Sequence, residues 1–146
     1  MTTVVHAEPL GHHFSLGWSQ WGLGDDFDVG TIKLSYEFGE MESVWDIRLL
    51  TSAFVNHDDG EFYISAGFLK EFGISSKWSW GLGGEAGYYS ADALGKEIEF
   101  YSRALVNYHL SESAFLRAEI GHISNASFGD KNPGSENLAI TYNWMF

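Results

Sequence analysis

The sequence predicts an all-β protein, an eight-stranded antiparallel transmembrane β-barrel of the up-and-down type, and three observations carry that expectation. Apolar and polar residues alternate with period two through eight successive segments, as in strands with two unlike faces. Aromatic residues make up 16% of the chain, and 17 glycines stand against 2 prolines, a mix suited to interfacial girdles and tight corners. No apolar run approaches the roughly 20 residues that a membrane-spanning helix needs. A chain of this kind can cross a bilayer only as a closed barrel, which satisfies every backbone group in lipid.

Each segment is justified by its alternation. The first, about 10–20, sets Leu10, Phe14, Leu16 and Trp18 against His13, Ser15, Gly17 and Ser19. The second, about 30–38, opposes Ile32, Leu34, Tyr36 and Phe38 to Thr31, Lys33, Ser35 and Glu37. In the third, about 44–55, Trp45, Ile47, Leu49, Ala53 and Val55 oppose Asp46, Arg48 and Ser52. The fourth, about 61–71, sets Phe62, Ile64, Ala66 and Phe68 against Tyr63, Ser65, Gly67 and Glu71. The fifth, about 78–89, carries Trp78, Trp80, Leu82, Ala86 and Tyr88 against Ser79, Gly81, Gly83 and Glu85. The sixth, about 97–109, sets Ile98, Phe100, Ala104, Val106 and Tyr108 against Glu97, Glu99, Arg103 and Asn107. The seventh, about 115–124, places Leu116, Ala118 and Ile120 opposite Arg117 and Glu119. The last, about 137–146, alternates Leu138, Ile140, Tyr142, Trp144 and Phe146 with Asn137, Ala139, Thr141 and Asn143.

Alternation alone does not separate a soluble barrel from a membrane one. The charges do: Lys33, Glu37, Asp46, Arg48, Glu85, Arg103, Arg117 and Glu119 share the polar face within strand centres. Were they turned to water, the Trp, Phe and Tyr rings of the other face would have to fill an interior only just wide enough for side chains. Turned inward, the charges pair with one another and the rings meet lipid. The terminal Phe146, with apolar residues at every second position back to Leu138, resembles the last strand of bacterial outer-membrane proteins. An even strand number puts both termini on the periplasmic side. The connections at 20–29, 56–60, 90–96 and 125–136 are then extracellular, and those near 39–43, 73–77 and 110–114 periplasmic.

The 146 residues suit a single domain, with residues 1–9 read as a short N-terminal periplasmic segment. That opening lacks the charged start and apolar core of an export signal, and it reads as a mature form with a start Met. With no cysteine there is neither a disulfide framework nor thiolate chemistry. A net charge of −12 with no basic stripe excludes nucleic acid as a partner. The acidic clusters Asp25-Asp26-Phe27-Asp28 and His57-Asp58-Asp59-Gly60-Glu61 read as solvated loops, with divalent-cation bridging to anionic lipid headgroups as the alternative. His6, His12, His13, His57 and His109 are scattered without ligand spacing, so no metal site is expected. Trp78 and Trp80 suit an interfacial girdle.

The chemistry gathers in His122-Ile-Ser124-Asn125-Ala126 and Asn132-Pro-Gly134-Ser-Glu136. His122 and Ser124 have the lipid-facing parity of Leu116, Ala118 and Ile120, and Glu136 has that of Leu138 and Ile140, unless a bulge shifts it. Strand seven runs outward and strand eight begins where it ends, so all three converge on the outside wall at outer-leaflet depth. Polar groups on a lipid-facing wall are costly unless they serve a purpose. Residues two apart on a strand lie roughly 6.5–7 Å apart, within reach of a His–Ser hydrogen bond, and a neighbouring antiparallel strand brings the carboxylate alongside. Serine nucleophile, histidine base and an orienting carboxylate make a hydrolytic triad. Ser127 and Asp130 are the local competitors for nucleophile and acid.

These two motifs, over about residues 121–136, resemble the signature of the outer-membrane lipid A 3-O-deacylases, the PagL family. The resemblance implies a serine esterase that releases the 3-O-linked acyl chain, often a 3-hydroxyacyl group, from a glucosamine of lipopolysaccharide. It makes Ser124 the nucleophile, His122 the general base and Glu136 the acid member. Asn125, with backbone N–H groups near Ala126, would form the oxyanion hole, and Asn132 and Gly134 would support the loop that presents Glu136. It implies no cofactor and no metal. The partners would be lipopolysaccharide in the outer leaflet and membrane lipids, with monomer and homodimer both open. A noncatalytic barrel for adhesion or tethering and a soluble ligand-binding barrel remain the alternatives.

Overall fold

The computed structural model describes residues 11–23 and 28–146. Eight strands follow in chain order: β1 (His13–Trp21), β2 (Val29–Glu37), β3 (Ile47–Asn56), β4 (Phe62–Gly73), β5 (Trp78–Tyr89), β6 (Ile98–Ser111), β7 (Ala114–Ser124) and β8 (Ser135–Met145). Each pairs antiparallel with the next, and β8 returns to β1 from His13↔Met145 to Trp21↔Asn137, closing the barrel. Residues 1–10, with Leu10 of the first predicted strand, and residues 24–27, with Asp25, Asp26 and Phe27 of the first acidic cluster, lie outside the described residues.

The two faces separate as the alternation predicts. Phe14, Leu16, Trp18, Ile32, Leu49, Ile64, Phe68, Leu82, Ile98, Ile120, Leu138 and Ile140 all stand exposed on the outer wall. A continuous apolar surface of that extent belongs in hydrocarbon rather than water. At the end where β1 begins and β8 stops, aromatic contacts ring the barrel: Phe14 with Trp144, Phe72 with Trp80, and Trp78 with Tyr108. Trp78 and Trp80 thus stand in a girdle.

Inside, Lys33, Glu37, Arg48, Glu85, Arg103, Arg117 and Glu119 are buried. Lys33 pairs with Glu119, and Arg103 reaches both Glu119 (3.1 Å) and Glu85 (3.2 Å). Arg117 pairs with Glu37 and with Glu71 (2.8 Å), and Glu37 also meets His13 (3.0 Å). Breaking such a buried network from one side is costly, because the remaining charge loses its partner.

Two features depart from the sequence expectation. The third strand begins at Ile47 rather than 44, because Trp45 and Asp46 take left-handed φ values of 54° and 52° after a short 3-10 turn, Glu42–Val44. That conformation breaks an extended ladder, so Trp45 belongs to a turn and is 82% exposed. The interior is also less uniformly polar than expected. Trp21, Phe54, Tyr63, Tyr89, Leu94, Tyr101 and Ile123 pack together inside one mouth. Leu94 comes from the connection between β5 and β6, which caps that mouth. The opposite end holds the turns 38–46, 74–77 and 112–113.

Candidate active site

β7 ends at Ser124 and β8 begins at Ser135, so the motif residues lie on either side of a single connection at the capped mouth. β8 starts two residues earlier than its apolar alternation suggests, which brings Glu136 into the ladder directly opposite His122. No bulge intervenes there; the register shift in β7 pairing lies at the far end, between His109 and Ser111.

His122 Nδ1 and Glu136 Oε1 are 3.1 Å apart, with the two side chains 47% and 50% exposed on the outer wall. A carboxylate on Nδ1 sets the imidazole so that Nε2 is the nitrogen available to a hydroxyl. The ring lies against Gly134, the residue just before β8: a Cβ there would lie 2.9 Å from His122 Cε1 and 3.3 Å from Nε2. Gly134 also has a φ of 64°, a conformation that other residues adopt with strain. Among the described residues, no hydrogen bond engages the Ser124 hydroxyl.

The loop after Ser124 is organised by Asn125, which is fully buried. Its side-chain amide donates to Lys131 O (2.7 Å) and Leu94 O (3.2 Å), and its Oδ1 accepts the Ser127 N–H (3.0 Å). Its backbone N–H goes to Asn132 Oδ1 at 3.0 Å, and its carbonyl accepts from Phe128 N at 3.0 Å. Asn125 was expected as an oxyanion donor, but in this arrangement both of its donor groups are engaged within the loops. They lock the connections 90–97 and 125–134 together. The following residues, Ala126 and Ser127, take φ values of 52° and 64°. Two consecutive left-handed residues other than glycine cost of order 1–3 kcal/mol each and persist only where surrounding bonds impose them. The Ala126 N–H has no acceptor among the described residues. Ser127 accepts a weak bond from Asn132 Nδ2 (3.4 Å) and lies in the loop, off the strand that carries His122.

Sequence reasoning did not find the groove that leads away from Ser124. Two rungs of the outer wall run side by side across the strands. One is Ser124, Phe100, Ala86 and Ala66; the other is His122, Ser102, Gly84 and Phe68. Small side chains at Ala66, Gly84, Ala86 and Ser102 leave a furrow of about 510 Å3 that ends at Ser124. Phe100 and Phe68 flank it, and Phe128 of the loop packs on Phe100 with ring centres 5.9 Å apart. The available signal was a run of small residues at even positions, where the rest of that face is large.

Asp58, Asp59 and Glu61 shape a turn, with Asp58 N donating to Asn56 Oδ1 and Glu61 N to Asp59 Oδ1. Among the described residues, no group of three His, Cys, Asp or Glu side chains is arranged to hold a metal ion.

The family described as lipid A 3-O-deacylase (PagL) matches this chain over residues 9–145. Solved structures share the barrel. The crystal structure of the outer membrane enzyme PagL aligns over 90% of this chain and 97% of its own, with a TM-score of 0.69 and 16% identity. Neisserial surface protein A aligns over 93% and 97%, with a TM-score of 0.71 and 15% identity. A de novo designed transmembrane β-barrel aligns over 96% and 98%, with a TM-score of 0.72 and 11% identity. At such identities the likeness is one of fold. No curated protein sequence matches the chain. The family match spans nearly the whole barrel, and the chain belongs to the PagL family of lipid A 3-O-deacylases, ester hydrolases of the outer membrane.

Proposed function

We propose that this enzyme cleaves the 3-O-linked acyl ester of lipid A with Ser124 as nucleophile, His122 as general base and Glu136 as the group that orients the imidazole. The observation that carries this reading is the 3.1 Å contact between His122 Nδ1 and Glu136 Oε1 on the lipid-facing wall, two residues along the strand from Ser124.

In the first half-reaction, His122 Nε2 takes the Ser124 Oγ proton as Oγ attacks the ester carbonyl. The negative charge that develops on the carbonyl oxygen is met by backbone N–H groups near Ala126, whose own N–H has no acceptor among the described residues. Asn125 and Asn132 act by holding that loop. Collapse of the tetrahedral intermediate expels the sugar hydroxyl, which takes the proton back from His122. Water then attacks the acyl-serine by the same route and releases the fatty acid. No step calls for a metal or an organic cofactor.

The substrate reaches this site from the bilayer. A lipid in the outer leaflet presents its ester at the depth where strands end, and the 510 Å3 furrow beside Ser124 is lined chiefly by apolar surface suited to the departing acyl chain. The test is mass spectrometry of lipid A from cells expressing the chain with an export signal, beside cells expressing Ser124→Ala. Loss of one ester-linked acyl chain with the unmodified enzyme only is the expected result. Identical spectra, with both proteins folded in the outer membrane, would replace this reading with a noncatalytic barrel.

A further inference from the structure

The chain carries eight lysines and arginines against twenty aspartates and glutamates. Lys33, Arg48, Arg103 and Arg117 are buried inside the barrel. Lys70 and Lys77 belong to the end where β1 begins and β8 stops, and there Lys70 lies 3.3 Å from Asp46. Only Lys96 and Lys131 remain for the mouth that carries Ser124. Both are exposed. Asp92, Glu97 and Asp130 stand near them in sequence, yet neither lysine makes an ion pair among the described residues.

The two lysines are held in mutual register by the loops that carry them. Asn125, next to the nucleophile, donates to the carbonyl of Lys131 and to that of Leu94, two residues before Lys96. Gly95, at φ 90°, backs onto Lys131: a Cβ there would lie 2.6 Å from the Lys131 carbonyl oxygen. Gly129 in turn lies under the Lys96 stem, where a Cβ would come within 2.7 Å of Cγ and 3.1 Å of Cε. Each loop therefore gives up a side chain where the other loop's lysine passes.

A protein of net charge −12 repels an anionic lipid at long range, so local cations must hold such a headgroup. Lysine binds phosphate as a point charge on a flexible stem. We propose that Lys96 and Lys131 form a phosphate-binding rim that grips the phosphate monoester on the sugar headgroup of the substrate while the ester lies at Ser124. This rests on the deacylase reading above, and it adds recognition of the anionic headgroup to cleavage of the acyl ester.

The test compares two substrates, a 3-O-acylated glucosamine lipid bearing a sugar phosphate and the same lipid with the phosphate removed, using the full chain in detergent micelles. The readout is the ratio of their kcat/KM values. The expected ratio favours the phosphorylated lipid in the wild type. In Lys96→Ala/Lys131→Ala it falls by about tenfold, the size expected for two exposed charge contacts, and the loss lies mainly in KM. Lys96→Arg/Lys131→Arg keeps the preference, which a merely structural role would not require. Equal ratios in the wild type and the alanine variant overturn the proposal.

Affinity is read separately in Ser124→Ala protein, so that failure of the catalytic reading does not mask this one. Tighter binding of the phosphorylated lipid, lost when both lysines are alanine, upholds the rim even without turnover. Turnover without any phosphate dependence leaves the deacylase reading standing and removes the rim. Inorganic phosphate, matched in ionic strength with chloride, separates the sources of the group. Weak competition that vanishes in the alanine variant supports a site completed by the lipid headgroup. Competition by inorganic phosphate as strong as by the phosphorylated lipid would show a free-anion site instead, against the proposal. Heat-dependent gel mobility checks that each variant is folded.

Discussion

Gly134 and His122 stand so close that a methyl group on Gly134 would lie 2.9 Å from His122 Cε1. The absence of a side chain at 134 therefore does two things at once. It permits the left-handed turn into β8, and it leaves the room that the His122 imidazole occupies. Gly134→Ala is expected to keep the barrel and lower kcat/KM by roughly 10- to 100-fold, because a displaced base of about 1 Å can cost that much. Equal turnover in the variant, measured on micellar lipid A, would show that the ring does not need that space.

The proposed triad predicts an order of severity. Ser124→Ala and His122→Ala should each lose at least about 1,000-fold in kcat, and Glu136→Ala less, since orientation usually contributes less than the nucleophile or base. All three proteins should retain the heat-dependent gel mobility of a closed barrel, because the residues lie on its outer wall. Unreduced turnover in all three would mean the triad is misassigned.

Asn125, the residue directly after the nucleophile, makes five hydrogen bonds, one across to the Leu94 carbonyl of the neighbouring loop and four within its own loop. Asn125→Leu would strip two carbonyls and one N–H of their buried partner. Activity should fall by about 10-fold or more, while the unfolding midpoint of the barrel in urea moves little, because the damage is confined to the mouth. A large shift in the midpoint with activity retained would reverse this assignment.

Along the groove, Gly84 has ordinary space: a Cβ there would meet Phe68 at 3.5 Å. Gly84→Leu fills the furrow instead of breaking the wall. The expected result is a shift of preference toward shorter acyl chains by roughly 10-fold in relative kcat/KM, the scale on which a few methylenes are discriminated. Competition between lipids of different chain length, followed by mass spectrometry, reads it directly. An unchanged preference would place the acyl chain elsewhere.

Inside the barrel, Glu119 meets Lys33, Arg103 and the hydroxyl of Tyr101. Glu119→Gln leaves two buried cations short of charge. A loss of about 3–5 kcal/mol in unfolding free energy is expected, measured by urea unfolding in lipid vesicles. A loss well below 1 kcal/mol would mean that water or a neighbouring carboxylate compensates.

Much of this protein was decided locally. Period-two alternation is a property of a few consecutive residues, so the eight strands, their two faces and the outward parity of His122, Ser124 and Glu136 were all legible in the chain. So was the proximity of the two motifs, since one connection separates β7 from β8. The start of β3 was not legible, because nothing in the alternation of Trp45 and Asp46 announces a left-handed turn.

Tertiary structure alone decided what depends on register around the closed barrel. Lys33 finds Glu119 at a sequence separation of 86 residues, and Asn125 finds the carbonyl of Leu94 at 31. The furrow at Ser124 exists because Ala66, Ala86 and Phe100 fall on one rung and Phe68, Gly84 and Ser102 on the next. Sliding any one of these strands by a single residue would turn its side chains to the other face and erase the groove. Alternation sets which way a residue points; only the paired strands set what it stands beside.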